Sequence, residues 1–141
     1  QNIEKISNKH SKIVADFFLK NFHFDLSPYN IYRYKSEIFI CQENLDNIWS
    51  QLFIFQPWIQ IGTLKNWLFY PSFFSGTLTR FSNNTHEVDE STLNSLLQHK
   101  EIQLDTPDGY YQILYNQLPA GIIRVKEKIW ICMIPTQLTR K

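Results

Sequence analysis

The sequence predicts an α+β fold, in which an N-terminal helix and a small mixed lobe are followed by a small β domain. Apolar residues near the start recur at helical spacing, the next segment alternates as a strand does, and the last third contains several short apolar runs separated by polar connections. The 141 residues lie within the size range of a single domain. An apolar fraction of 43% with only 19% charged residues is enough to form a buried core.

The N-terminal segment, residues 6–20, predicts an amphipathic helix. Its apolar residues recur at spacings of three, four and seven, with charged residues between them: Ile6, Ile13, Val14, Phe17 and Phe18. Residues 21–28 indicate a loop. The alternation over residues 31–35 and the apolar run over 38–41 then predict a β-hairpin.

The middle of the chain is interpreted by the same criteria. Residues 45–52 have the apolar spacing of a short helix, and residues 53–61 are rich in aromatic and β-branched side chains, which predicts a strand that ends at Gly62. Residues 72–80 are ambiguous, although Pro71 suits a helix start because its missing N–H costs nothing there.

A polar cluster, Asn83-Asn84-Thr85, predicts the boundary between two units, residues 1–82 and 83–141. The second unit begins with a helix that contains three leucines and is capped by Asp89 or Ser91. Tight turns at Asn116-Gln117 and at residues 126–128 connect the strands that follow. These predicted strands form a small β meander over residues 101–104, 110–115, 118–125 and 129–134.

Several function classes lack their motifs in this chain. The four histidines and two cysteines are too scattered for a zinc site, the glycines form no phosphate or dinucleotide loop, and no apolar run is long enough to span a bilayer. We therefore expect no metal, no bound ATP, NAD or S-adenosylmethionine, and no catalysis by this chain alone. Each histidine is interpreted as a surface or capping residue, and Cys41 and Cys132 as buried thiols in a reducing cytoplasm.

The formal net charge of +1 hides an uneven distribution along the chain. Residues 83–108 carry one basic side chain against six acidic ones, whereas residues 109–141 carry five basic side chains against one acidic. A basic C-terminal segment suits a polyanionic partner, and an ordinary solvated surface is the alternative interpretation.

A pattern in the last third of the chain resembles a known family. The strand at residues 110–115 is followed by the turn Asn116-Gln117, then Leu118-Pro119-Ala120-Gly121, the basic Arg124, and Pro135 before Leu138 and Arg140. This spacing is similar to that of the PUA-like domain that closes the bacterial Sun-type RNA cytosine-C5 methyltransferases. The first half resembles the smaller lobe that precedes this domain, with a hairpin over residues 32–40, a segment at 59–64 and Pro71-Ser72.

The resemblance implies a PUA-like β-barrel at residues 83–141 and a non-catalytic role in RNA binding. The chain would be the substrate-docking region of an S-adenosylmethionine-dependent rRNA or tRNA cytosine-C5 methyltransferase. Its partners would be RNA, rRNA in particular, and a catalytic domain of the same chain upstream of Gln1. This sequence departs from the family pattern at Ile122-Ile123, where the family has Trp-Gly, and at residues 131–134, where it has Lys-Asn-x-Tyr.

An RNA-binding surface requires cations for the phosphates and exposed aromatic rings for unstacked bases. At strand spacing, three cations near the C-terminus would share one face and form a basic stripe, with Arg140 nearby: Arg124, Lys126 and Lys128. An exposed edge that discourages strand pairing is the alternative interpretation of this stripe.

The first half contains four further candidates for RNA contacts. Arg33 and Lys35 alternate with two tyrosines, which predicts a hairpin with one basic and one aromatic face. Lys65 beside Trp67 is the best pair for combined charge and stacking. Packing in the core is nevertheless the favoured interpretation for three large aromatic side chains: Trp58, Trp67 and Tyr70.

Two other interpretations of the whole chain stay open. A protein-interaction or scaffold module with the same fold would have lost its RNA contacts, which the missing Lys-Asn favours and the basic stripe opposes. A small standalone enzyme would require a pocket that gathers His23, Asp25 or other groups distant in sequence.

Overall fold

The computed structural model of the protein describes residues 3–41, 58–103 and 105–133. Within these residues the chain forms two α-helices and two five-stranded sheets, which confirms the predicted α+β class. The predicted helix at residues 45–52, the first half of the predicted strand at 53–61, and Arg140 lie outside the described residues.

Helix α1 (Asn8–Phe22) begins and ends two residues later than the sequence predicts. The Ser7 side chain caps its start by accepting a hydrogen bond from the His10 backbone N–H. His23 ends it in the left-handed conformation, with φ 55°, and donates its N–H to the Leu19 carbonyl. The apolar face of the helix packs on the first sheet through the buried side chains of Val14, Phe18 and Phe22.

The first sheet is antiparallel throughout, with its strands in sequence order: β1 (Glu4–Lys5), β2 (Asn30–Tyr34), β3 (Glu37–Cys41), β4 (Trp58–Lys65) and β5 (Leu68–Pro71). Strands β2 and β3 confirm the predicted hairpin. The prediction that the next strand ends at Gly62 is wrong, because β4 continues through it to Lys65. Gly62 is needed inside the strand, since a Cβ there would collide with the Phe69 ring and the Tyr70 carbonyl.

A 3₁₀ helix (Phe73–Thr77), capped by Ser72, links the two sheets and settles the ambiguous segment. The second sheet has the spatial order β6-β8-β9-β10-β7. Its central strands form the predicted antiparallel meander, but the parallel pairing of β6 with β8 was not predicted. The strands are β6 (Thr85–Val88), β7 (Ile102–Gln103), β8 (Gly109–Tyr115), β9 (Leu118–Lys126) and β10 (Ile129–Cys132).

Helix α2 (Glu90–Leu97) covers one face of the second sheet through the buried side chain of Leu96. Of the two caps considered from the sequence, the structure has Asp89, whose carboxylate accepts a hydrogen bond of 2.8 Å from the Thr92 N–H. This bond holds the pKa of the Asp89 carboxyl below its ordinary value. Within the described ranges, neither α1 nor α2 is long and apolar enough to cross a membrane.

The second sheet is curled into a half-barrel. The rings of His86 on β6 and Trp130 on β10 meet edge to face, with centroids 4.9 Å apart. These strands are three positions apart, so a flat sheet with a strand spacing of about 4.8 Å would separate them by roughly 14 Å. The contact therefore requires curvature that brings the half-buried His86 against the buried Trp130.

The fully buried Gln112 of β8 holds the segment that connects the two sheets. Its Nε2 donates to the carbonyls of Gly76 and Thr79 at 2.9 and 2.6 Å, and its Oε1 accepts from the Phe81 N–H at 2.8 Å. Ile122 of β9 also packs into the core formed by α1 and the first sheet. The buried side chains form two clusters, and the first of them takes residues from both sides of the predicted boundary between residues 82 and 83.

Candidate nucleic-acid interface

The structure divides the predicted RNA-contacting residues between two surfaces. Four of them lie at one end of the first sheet, where the β2–β3 and β4–β5 turns come together beside the start of α1: Arg33, Lys35, Lys65 and Trp67. Three lie on or beside β9 of the second sheet: Arg124, Lys126 and Lys128.

Trp67 is at the tip of the β4–β5 hairpin, in a two-residue turn with Asn66. Both turn residues have positive φ, 51° and 64°, as the right-handed twist of the flanking strands favours. The side chain is 60% exposed, and its ring lies 4.7 Å from the His10 ring at a tilt of 37°. The His10 ring therefore contacts one side of the indole, and the rest of the indole remains open to solvent.

His10 connects this indole to Arg33. The His10 Nδ1 lies 3.1 Å from the Arg33 Nη1 and 3.1 Å from the Ser7 Oγ. A guanidinium group can only donate, so Nδ1 is the acceptor in its contact with Arg33. The sequence interpretation of His10 as a surface or capping residue missed this role, because its partners are 23 and 57 residues away along the chain.

The Arg33 guanidinium is held on its other side by the β2–β3 turn. Its Nε and Nη2 donate to the Lys35 carbonyl at 3.0 and 2.8 Å. Lys35 itself lies in the turn, with φ 55°, and its ammonium group is 5.3 Å from the centre of the Tyr34 ring. The prediction that Arg33 and Lys35 form one basic face of the hairpin is therefore wrong, since only Arg33 points toward α1.

We name this group the Trp67 cluster, formed by His10, Arg33, Lys35, Lys65 and Trp67. Lys65 ends β4 directly before the turn and is exposed, as is Lys35. Within the described chain, no carboxylate pairs with any of the three cations. The cluster therefore presents an open indole beside three basic side chains, with Glu4 as the cross-strand neighbour of Arg33.

The favoured sequence interpretation of Trp67 and Tyr70 as core residues is wrong. Tyr70 is 42% exposed because it alternates with Phe69, whose ring faces the core. Trp67 is outside the strand alternation altogether, since it occupies the turn. The side chain of Trp58 lies outside the described part.

Two of the three cations of the predicted basic stripe lie on one face of strand β9. Arg124 and Lys126 are exposed on β9, with the buried Val125 between them on the opposite face. The Arg124 guanidinium lies 5.8 Å from the centre of the Tyr110 ring on β8, its neighbour in register. We name Tyr110, Arg124 and Lys126 the Arg124 surface.

The prediction that Lys128 shares this face is wrong. Strand β9 ends at Lys126, and Glu127 and Lys128 form a turn in which both residues have positive φ. The Lys128 ammonium instead lies 3.3 Å from the Asp105 carboxylate, with both side chains largely exposed. Such a pair adds little stability and is easily exchanged for another anion.

A cleft of about 390 Å³ lies between α1 and the segment that leads into β2. It is lined partly by Asp25, whose carboxylate accepts two hydrogen bonds of 2.9 Å from the Ser27 N–H and Oγ, which lower its pKa. His23, which the sequence considers together with Asp25 for a pocket, is not among the residues that line this cleft. The described residues also contain no cluster of three or more metal-ligating side chains.

No protein-family model and no curated protein matches this chain. The Trp67 cluster and the Arg124 surface are thus interpreted from their own geometry and chemistry.

Proposed function

We propose that this chain is a non-catalytic RNA-binding region. The observation that carries the proposal is the Trp67 cluster, in which an exposed indole, backed by a second ring, lies beside three cations that form no ion pair with the described carboxylates. Proteins bind unpaired nucleotides with this combination, because bases stack on aromatic rings while lysine and arginine contact the phosphates.

The backbone at the hairpin tip supports a functional role for the indole. A bulky side chain with positive φ is disfavoured, and glycine or asparagine is the usual residue at such a position. An exposed tryptophan there contributes little to the core and carries a conformational cost. A ligand that contacts the ring accounts for both features.

We further propose that the RNA is the substrate of an S-adenosylmethionine-dependent cytosine-C5 methyltransferase, with rRNA as the first candidate, and that residues 83–141 form a PUA-like domain. This step is supported by the resemblance in the Leu118-Pro119-Ala120-Gly121 segment. The glycine has a physical reason in this fold, since the Phe73 ring occupies the place of a Cβ on Gly121. The curled second sheet is compatible with a small barrel.

A protein-interaction module is the second candidate function. Leu68 and Tyr70, both exposed on β5, extend the aromatic surface beside Trp67 with apolar area. Ile131, which is exposed opposite Arg124, replaces a polar residue of the family pattern. An exposed apolar patch of this kind is typical of protein contacts.

The test is RNA binding by the purified chain, measured by fluorescence anisotropy between about 50 and 200 mM salt. We expect Lys65→Ala and Arg124→Ala each to weaken binding to all sequences alike. Each variant should also flatten the slope of log affinity against log salt by about 0.7, the value for one phosphate contact on a single strand.

Lys100→Ala is the matched control, because Lys100 is an exposed lysine beside the end of α2, in the acidic part of the chain. Its slope should equal that of the unmodified protein. If Lys65→Ala and Arg124→Ala leave the slope unchanged as well, these cations do not contact phosphates, and the protein-interaction function becomes the better proposal.

A further inference from the structure

We infer that the Trp67 cluster and the Arg124 surface bind one continuous segment of single-stranded RNA, which lies along helix α1. The inference rests on the proposed RNA-binding function and goes beyond it, because it specifies the form of the nucleic acid and its path over the protein.

Helix α1 connects the two surfaces through a chain of ring contacts. His10 and Phe17 are seven residues apart, which places them on the same helix face about 10.5 Å from each other. The Trp67 ring stacks on His10 at one end. At the other end the Phe17 ring lies 5.1 Å from Tyr110, above which lies the Arg124 guanidinium.

The path from Trp67 to Arg124 along these contacts is therefore roughly 26 Å long, given the helical rise of 1.5 Å per residue. Small single-strand-binding domains contact about 4–16 nucleotides, so one short strand is long enough to reach both ends.

The charges on α1 favour a polyanion along this path. Lys9 and Lys20 are exposed and have no ion-pair partner among the described residues. The helix has one acidic residue, Asp16, and the Lys12 ammonium at 2.9 Å neutralises it. The net charge of the helix is positive, and it contains no unpaired carboxylate to repel the phosphates.

The geometry at Trp67 selects an unpaired base. His10 covers one side of the indole, and the exposure of the ring leaves the other side open to a ligand. Bases inside a duplex are stacked on one another and do not offer a free face, whereas those of a single strand do. A regular RNA duplex could contact the cations but could not use the indole.

The experiment measures the affinity of unstructured single strands of about 3, 6, 9 and 12 nucleotides, together with a duplex of about 12 base pairs. For the unmodified protein we expect affinity to rise steeply once the strand reaches both surfaces, since the second contact then becomes intramolecular. Trp67→Ala should weaken the longest strand by about 5- to 100-fold, as the loss of one stacked base does. The duplex should be affected much less.

The inference is tested by the length of RNA strand at which Arg124→Ala begins to weaken binding. This variant should leave the affinity of the shortest strand unchanged and weaken the longer ones, so the steep rise with length disappears. Lys100→Ala should retain the rise. If Arg124→Ala has the same effect at every length, or if the duplex binds as tightly as the strand of equal length, the inference is wrong while RNA binding stands. If no RNA binds at any length, the proposed function itself fails.

Discussion

At the scale of single residues, Trp67 combines two properties that oppose each other. Its backbone is in the left-handed region, which costs a residue with a Cβ roughly 1–2 kcal/mol. The contact between its ring and His10 stabilises the fold by about 0.5–1.5 kcal/mol, the range for an aromatic pair. The fold therefore gains little net stability from this tryptophan.

Trp67→Gly should accordingly leave the free energy of unfolding within about 1 kcal/mol of the unmodified protein, because the relief of strain offsets the lost ring contact. The same variant should lose most of its affinity for single-stranded RNA. Urea unfolding and anisotropy measure the two effects separately.

Asn66→Gly is the matched control, since it relieves the strain of a positive φ in the same turn and keeps the indole. Its RNA affinity should be unchanged. A large loss of stability in Trp67→Gly would mean that the indole is a structural residue, contrary to the role proposed here.

At the residue scale, the sequence does not reveal contacts between positions that are distant along the chain. Lys65 and Trp67 lie two positions apart at the tip of one hairpin, and their contact with RNA stays a prediction. His10 was missed, since only the folding of α1 onto the first sheet brings it to Trp67 and Arg33. Lys128 was placed on the wrong face because strand alternation stops where a turn begins.

At the scale of the elements, the Asp89 cap of α2 makes stability depend on pH. The hydrogen bond from Thr92 lowers the pKa of this carboxyl in the folded state. The folded protein then binds the proton less readily than the unfolded chain does. The ionised cap therefore stabilises the fold fully above the ordinary aspartate range, about pH 4, and loses this effect as the pH falls through the lowered pKa.

We expect Asp89→Ala to lower the melting temperature at neutral pH, and the difference from the unmodified protein to shrink in acid. Ser91→Ala, at the other cap position considered from the sequence, should show no such dependence, because Ser91 is inside the helix. Thermal unfolding followed by circular dichroism at several pH values provides the measurement. A difference that stays constant with pH would contradict this role for the carboxylate.

Elements defined by local patterns were predicted, and those defined by distant partners were not. Alternation and a polar turn indicated the β2–β3 and β8–β9 hairpins, whose strands are neighbours in sequence. Strand β6 was missed, since its parallel partner β8 follows only after a helix and a further strand. The sequence predicts a strand end at Gly62 because it does not show that Phe69 packs against this glycine.

At the scale of the whole molecule, Gln112 ties the second sheet to the backbone segment between the two sheets through three hydrogen bonds. Gln112→Leu fills the space but leaves those backbone groups without partners. The expected loss is about 2–4 kcal/mol of unfolding free energy, since a buried polar group left unpaired costs about 1–3 kcal/mol.

Urea unfolding provides this measurement, and a single transition should persist because Ile122 of the second sheet packs into the core of the first. Gln98→Leu, an exposed glutamine after α2, is the control and should change stability by no more than about 0.5 kcal/mol. A loss below about 1 kcal/mol in Gln112→Leu would show that water replaces the glutamine.

The hydrophobic periodicity of the sequence predicts the α+β class, but it does not show how residues 1–82 and 83–141 pack together. A glutamine in the alternating run of β8 gives no sign that it is the one fully buried amide among the described side chains. Its burial follows from the 3₁₀ segment that passes over it, which the sequence left ambiguous.

The lengths of the outer strands have a consequence for behaviour at high concentration. The strands at the borders of the two described sheets, β1, β5, β6 and β7, have only two or four residues each. Long unpaired borders are where a second molecule adds its own strand and aggregation begins. Borders this short offer few free N–H and C=O groups to which a second molecule could add a strand. The described sheets therefore give little template for fibre-like association, even though aromatic side chains remain exposed on the surface.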